Sequence, residues 1–271
     1  MVPVSLGVDA YGRPVAYDMA TPSHLLVAGQ TRSGKSVLMQ SLLAQLAAVP
    51  GVVLAGSDPS GILLAPVAEA GRYGGRIALG TEDAASHLDA FAWLDRVFRD
   101  RQRLLVRQGR DKIDVDDPAT PLVVFVAEEY LSLTQLVAAT DAASSPRGRD
   151  AARLKALVLS LSAQALKCGI RMIVSVQRSD AEFLGGPARS NLATRILLRS
   201  EPEASRMVFP DLSDGDRDWI ARALPGCGLV EAPGLPRQRF RGYDYPYAAY
   251  RDRVRYCASV RGATRGPEGG A

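Results

Sequence analysis

The stretch that most constrains this chain is Gly29-Gln30-Thr31-Arg32-Ser33-Gly34-Lys35-Ser36. Its spacing, G-x-x-x-x-G-K-S, is that of a loop that cradles phosphate groups. The flanks supply the context such a loop needs. The apolar run Leu25-Leu26-Val27-Ala28 predicts a buried strand, and Val37, Leu38, Leu42, Leu43 and Leu46 continue a helical pattern from Lys35 onward. Backbone N–H groups of Ser33 to Ser36 would then converge on one anion, at the end of a helix whose dipole favours negative charge. The candidate nucleotide-binding residues are Gly29, Gln30, Thr31, Arg32, Ser33, Gly34, Lys35, Ser36 and Val37. Lys35 would reach the β- and γ-phosphates of a triphosphate, and the Ser36 hydroxyl would bind Mg2+.

Composition excludes several other classes. The longest unbroken apolar run, Leu122 to Ala127, is far too short to span a bilayer, and no signal or transit peptide is visible. Cys168, Cys227 and Cys257 are scattered without metal-ligand or redox spacing, which predicts a reduced, cytoplasmic setting. Two isolated histidines, His24 and His87, leave little room for histidine-based chemistry. The net charge of +4 is only mildly basic, but it is unevenly spread. Between Arg96 and Lys112 there are seven basic residues against two acidic, and between Leu235 and Arg265 eight arginines against two aspartates. Such clusters fit a polyanion partner, or else two solvated helix faces.

Strand and helix signals alternate along the chain. Val4 to Asp9 and Pro14 to Asp18 suggest a hairpin around Tyr11-Gly12, and Val52 to Ala55 a second buried strand. Thr81-Glu82-Asp83 should cap a long helix to about Gln108. Leu122 to Val126 reads as a central strand, with helix from Glu129 to about Ala139 and a polar surface loop over Asp141 to Asp150. Further helices are expected over 151–168, 201–208, 214–224 and 247–260, and strands over 170–176, 195–198, 228–231 and 239–242, the last two at one edge. Gly185-Gly186-Pro187 marks a loop. The alternation implies an α/β fold, a mostly parallel central sheet with helices on both faces. The chain divides into an N-terminal hairpin (1–20), a main domain (21–245), a C-terminal helix (246–261) and a disordered tail (262–271).

Hydrolysis requires more than a phosphate loop. The central strand runs into Glu128 and Glu129, where an acidic residue can hold Mg2+ and another can polarise a water. Glu128 takes the metal side, and Glu129 is the candidate general base. Gln177 ends the strand 170–176, and ligands collect at the carboxyl ends of strands in such sheets, so Gln177 is the candidate γ-phosphate sensor.

Taken together these elements resemble the FtsK/SpoIIIE family of DNA-pumping ATPases. Pro22 to Gly29 looks like that family's lead-in, Asp58-Pro59 like its Asp-Pro pair, and Trp93-Leu94 like its Trp-containing helix. Glu128 to Leu133 stands where the family has Asp-Glu-Phe-Ala-Asp-Leu. Gly169-Ile170, Val176-Gln177-Arg178, Asn191, Thr194-Arg195-Ile196 and Ser205-Arg206 match further family positions. The resemblance implies a RecA-like P-loop NTPase that uses ATP and Mg2+, works as a homo-oligomeric, hexameric ring, and threads double-stranded DNA through its centre. It implies an arginine acting on a neighbour's nucleotide, Arg195 or Arg206, with Arg195 favoured. Among short versions the chain is most similar to actinobacterial conjugative Tra-type proteins, which implies transfer of a plasmid or integrative element, with membrane-bound or transfer proteins as further partners. Neither upstream membrane helices nor a downstream winged-helix module is visible. Two departures stand out. Arg32 replaces a usual glycine, and Glu128 replaces the usual Asp, a change that bears on turnover rather than on nucleotide binding. The alternatives are a type VII secretion-like ATPase that moves protein, and a nucleotide-gated DNA-binding scaffold with weak hydrolysis.

Overall fold

The computed structural model describes residues 1–144, 149–177 and 191–264. Part of the expected 141–150 loop, Arg178, the Gly185-Gly186-Pro187 turn and residues 265–271 of the expected tail lie outside the described residues. The elements run β1 (Pro3–Val8), β2 (Pro14–Asp18), β3 (Leu25–Ala28), α1 (Lys35–Ala48), β4 (Val52–Asp58), α2 (Ala65–Ala70), β5 (Gly74–Leu79) and α3 (Ala84–Gln108). They continue β6 (Leu122–Ala127), α4 (Tyr130–Ser144), α5 (Asp150–Gln164), a 3-10 turn (Ala165–Cys168), β7 (Ile170–Val176) and β8 (Thr194–Leu198). The last are α6 (Pro202–Val208), α7 (Asp214–Ala221), β9 (Cys227–Ala232), β10 (Leu235–Gly242) and α8 (Tyr247–Thr264).

Among the described residues one sheet carries ten strands, in the order β2-β1-β10-β9-β8-β3-β7-β6-β4-β5. From β5 to β8 every neighbouring pair is parallel, and β9, β10, β1 and β2 extend the sheet antiparallel. The fold is therefore the expected α/β type, with one correction. The late strands β9 and β10 are not the edge, because the N-terminal hairpin pairs outside β10 and leaves β2 as the outer strand. Val4 and Leu6 of β1 are fully buried, which a free hairpin would not allow.

Strand residues alternate between two cores. Leu26, Ala28, Val123 and Phe125 pack on one face, under α3, α4, α5 and α7; Leu25, Val27, Val124 and Val126 pack on the other, under α1, α2 and α8. Burial on both faces explains why the central strands read as unbroken apolar runs. In α3, Asp83 caps the N-terminus by accepting from the amides of Ala85 and Ser86, and Gly109 ends the helix in a left-handed conformation (φ 62°). Helix α4 runs further than its polar sequence suggested, to Ser144, because Ala138, Ala139, Ala142 and Ala143 favour helix among the polar residues of its last turns.

Both basic clusters are partly absorbed by the fold. Arg101 is buried and donates to the carbonyls of Cys168 (2.9 Å), Gly169 (3.2 Å) and Pro121 (2.6 Å), tying α3 to the starts of β6 and β7. Arg237 pairs with Asp211 and Glu231, and Arg239 with Asp216.

His24, just before β3, binds the central strands together. Its carbonyl accepts from the Thr194 amide (3.1 Å), and its Nδ1 accepts from the Met172 amide (2.9 Å). Burial, with the nearby Arg171 charge, pushes its pKa down to about 4. The unfolded chain therefore binds a proton near pH 6.5 that the folded chain refuses until about pH 4. This contribution, roughly 3 kcal/mol, is present above pH ~6.5 and lost as pH falls toward 4. Urea unfolding from pH 7.5 to 4 should show His24→Asn, which keeps an acceptor but cannot titrate, with a flatter decline than the parent. Parallel curves would remove His24 from the acid response.

Candidate nucleotide-binding site

The loop between β3 and α1 is held from two sides by backbone. The Gln30 amide donates to the Arg199 carbonyl (3.0 Å), and the Gly226 amide donates to the Ser33 carbonyl (2.8 Å). The Arg199 guanidinium adds a bond to the Arg32 carbonyl (3.1 Å). Gly34 has φ 93°, and a Cβ there would meet the Gly226 nitrogen at 2.5 Å, so conformation and space both require glycine. Arg32 also lies in the left-handed region, at φ 62°. A glycine is at home there, which gives the physical meaning of this departure from the family pattern.

Behind the loop lies a buried polar knot. The Lys35 ammonium donates to Ser175 Oγ (2.7 Å) and to Glu128 Oε1 (3.3 Å). Burial raises the Glu128 pKa, and the Lys35 charge partly opposes that rise. The second Glu128 oxygen and the Ser33 hydroxyl are buried without hydrogen-bond partners.

Glu129 has the left-handed φ of 46°, turning the chain from β6 into α4. Its carboxylate accepts from Gln177 Nε2 (2.8 Å), so the ends of β6 and β7 meet. Glu129, Gln177 and the loop residues Gly29, Gln30, Thr31, Arg32, Gly34, Lys35, Ser36 and Val37 line one cleft of 350 Å³. Among the described residues no group of three or more His, Cys, Asp or Glu could hold a metal unaided. An ion here would have to share its ligands with the nucleotide, as Mg2+ commonly does.

The sequence candidates thus separate. The loop, Glu129 and Gln177 face the cleft, while Glu128 sits behind Lys35. Arg195 and Arg206 are not among the residues lining the cleft. Arg195 donates to the carbonyls of Leu192 and Val208 in its own chain (both 3.1 Å), whereas Arg206 is exposed on α6. Ser175, Arg199 and Gly226 were not singled out as site residues by the sequence. Only Ser175 left a signal, two positions before Gln177 and so on the same side of β7.

A strand, a glycine loop and a helix closing on a cleft with a carboxylate from the end of β6, one strand beyond the neighbouring β7, define a P-loop ATPase domain. The model of the FtsK/SpoIIIE family matches residues 1–180, and the chain belongs to that family. It is 25% identical over 225 residues to the DNA translocase SftA of Bacillus subtilis, covering 79% of this chain and 22% of that protein. It is 27% identical over 265 residues to the DNA translocase FtsK of Pseudomonas aeruginosa, covering 84% of this chain and 31% of that one. The chain thus spans about a fifth to a third of the length of these relatives. The fold is shared with the pCW3 conjugation coupling protein TcpA (TM-score 0.75, 19% identity, 98% of this chain and 71% of that one). It is also shared with the cytoplasmic domain of the type VII secretion ATPase EccC of Thermomonospora curvata (TM-score 0.71, 23% identity, 99% and 32%).

The backbone at position 32 makes a stability prediction. Arg32→Gly should stabilise the chain, by up to about 1 kcal/mol, by relieving the left-handed strain, and Arg32→Val should destabilise it. Denaturant unfolding measures both; a loss of stability in the glycine variant would show that the Arg32 side chain, not the backbone, sets the loop.

Proposed function

We propose that this chain is the motor part of an ATP-driven double-stranded DNA translocase. The observation that carries the reading is the meeting of the phosphate loop, Glu129 and Gln177 in one cleft, with Lys35 behind them on Glu128. The loop amides and Lys35 would neutralise the triphosphate. Ser36 and the unpartnered Glu128 oxygen are the groups that would hold Mg2+ beside it. The ion, when bound, supplies charge neutralisation across the β- and γ-phosphate oxygens. Glu129 would orient the attacking water and take its proton, and its bond to Gln177 fixes the carboxylate for that task.

The ring, the DNA and the setting are supported less directly. Translocation on any sequence calls for phosphate contacts without base readout. The named activity of the sequence relatives, DNA translocation, favours DNA over a protein substrate. In a ring, Arg206 is the better candidate for acting on a neighbour's nucleotide, because Arg195 is occupied by its own carbonyls. Conjugative transfer is the setting that the sequence resemblance suggests. A protein-moving ATPase is the second reading, since the same fold serves EccC.

ATP hydrolysis measured with and without duplex DNA decides between them. Duplexes of unrelated sequence should stimulate turnover alike, Lys35→Ala should abolish it, and Glu129→Gln should lower it by roughly 10²–10⁴-fold. Turnover indifferent to DNA but raised by a peptide would overturn the DNA reading. An unchanged Glu129→Gln rate would remove Glu129 from the chemistry.

A further inference from the structure

We propose that Arg32 is a catalytic residue, carried inside the phosphate loop and laid on the γ-phosphate of the nucleotide that the same chain binds. The proposal rests on the nucleotide-binding reading above and adds to it a second cation, at a position where the family usually has glycine.

The loop presents Arg32 at its tip. The Ser33 amide donates to the Gln30 carbonyl (3.1 Å), so residues 30–33 form a tight turn with Thr31 and Arg32 at its corner. A positive φ at the third position of such a turn is usually left to glycine or asparagine, and Arg32 holds it at 62°. Arg199 fixes the backbone here. Its guanidinium donates to the Arg32 carbonyl (3.1 Å), and its own carbonyl accepts from the Gln30 amide (3.0 Å). The Arg32 side chain is exposed, and it lines the same cleft as Glu129 and Gln177. A long cation thus occupies a strained position at the mouth of the site, where glycine would be more stable.

The charges around it give it a task. Lys35 and Arg32 are the two cations among the described residues that line the cleft. The Lys35 ammonium is already set against Glu128. The Arg32 guanidinium makes no ion pair and no hydrogen bond among the described residues. Glu129, the carboxylate of the cleft, is held by Gln177 Nε2 (2.8 Å) and Ser132 Oγ (3.4 Å) instead. A triphosphate brings more negative charge than Lys35 alone offsets. In hydrolysis water adds to the γ-phosphorus, Glu129 takes its proton, and the bond to the β-phosphate oxygen breaks with its electron pair left on ADP. Arg32 exchanges no proton; it neutralises the charge on the γ-phosphate oxygens as that bond breaks. A guanidinium meets such oxygens through two parallel N–H donors, which an ammonium cannot do. In some nucleotide hydrolases the arginine that does this comes from a partner, and in others from the same chain. Arg32 stands on the loop whose amides would hold the phosphates, so its own nucleotide is within reach without any assembly.

Three variants test the proposal. Arg32→Gly restores the residue that the turn prefers, so a loss of function in it is a loss of the guanidinium rather than of the loop. Calorimetry should show a nonhydrolysable ATP analogue bound about ten- to hundredfold more weakly by Arg32→Gly than by the parent, and ADP bound within about twofold. Arg32→Lys should recover part of the analogue affinity. ATP turnover by Arg32→Gly should fall by about 10³-fold. Mixing Arg32→Gly with Lys35→Ala shows whose nucleotide is served, because the first binds ATP without the arginine and the second offers the arginine without binding ATP. Turnover should stay low in the mixture; its recovery would place Arg32 on a neighbour's nucleotide and overturn the proposal. Equal losses for the analogue and ADP would make Arg32 a general binding group, and unchanged affinity with unchanged turnover would leave it a solvated side chain; either result overturns the proposal while the phosphate loop stands. If the parent bound neither nucleotide, the nucleotide-binding reading itself would fall.

Discussion

The site depends on one ammonium group. Lys35 opens α1, yet its charge is spent on residues from two other strands, Glu128 after β6 and Ser175 in β7. Burying such a pair costs several kcal/mol per ion, and the attraction repays it only with good geometry and further hydrogen bonds. Here the lysine gains a second acceptor, but one oxygen of the glutamate gains nothing. A chain selected for stability alone would do as well with apolar side chains at these positions. The arrangement makes sense for a site whose charges must change partners. A triphosphate carries several negative charges to Glu128's one, so it competes well for Lys35, and the carboxylate left behind is then free to meet a cation.

Backbone conformation serves the same end. Arg32 and Glu129 both take left-handed angles that cost a non-glycine residue about 1–2 kcal/mol each. They flank the cleft from opposite sides, one in the loop and one where β6 turns into α4. Strain of this kind persists only where the surroundings over-determine it. At Arg32 the brace is the Arg199 guanidinium on its carbonyl, and at Glu129 it is the amide of Gln177. Both braces come from strand ends next to β3, so the parallel core of the sheet is what holds the loop and the carboxylate in register.

Much of this was legible in the sequence because it is local or periodic. The loop is a contiguous pattern, the central strands are apolar runs because both sheet faces are covered, and Glu129 and Gln177 stand where strands end. What was not legible depends on partners far apart in the chain. Ser175 meets Lys35 across 140 residues, and Arg199 meets Arg32 across 167. Alternation along β7 puts Ser175 on the side of Gln177 but does not announce its contact with Lys35, and nothing local announces that of Arg199. The place of the hairpin beyond β10 is likewise a fact of pairing, since alternation in β1 says which side is buried but not against which strand. Charge counting failed at Arg101 for a related reason. A guanidinium that satisfies three carbonyls looks, in sequence, like any other arginine of a basic run.

That distinction decides which positive charges are left for a polyanion. On α3, Arg96, Arg99, Arg103 and Arg107 follow one another at helical spacing and lie along one exposed face, opposite Phe91, Leu94, Phe98 and Leu105. Arg99 and Arg103 are paired with Asp95 and Asp100 within the same helix, while Arg96 and Arg107 have no carboxylate within 4.0 Å among the described residues. Exposed pairs of this kind are worth about 0–1 kcal/mol, so a phosphate can displace the aspartate at little cost. Arg101 is different: freeing it would take a donor from the buried Cys168 carbonyl and from the half-buried Pro121 carbonyl, while the Gly169 carbonyl would keep the Val123 amide, and a buried carbonyl left unpaired costs about 1–3 kcal/mol. The outer stripe of α3 is therefore available for phosphate contacts in a way that the net charge of the segment does not convey, and Arg101 belongs to the fold rather than to any partner.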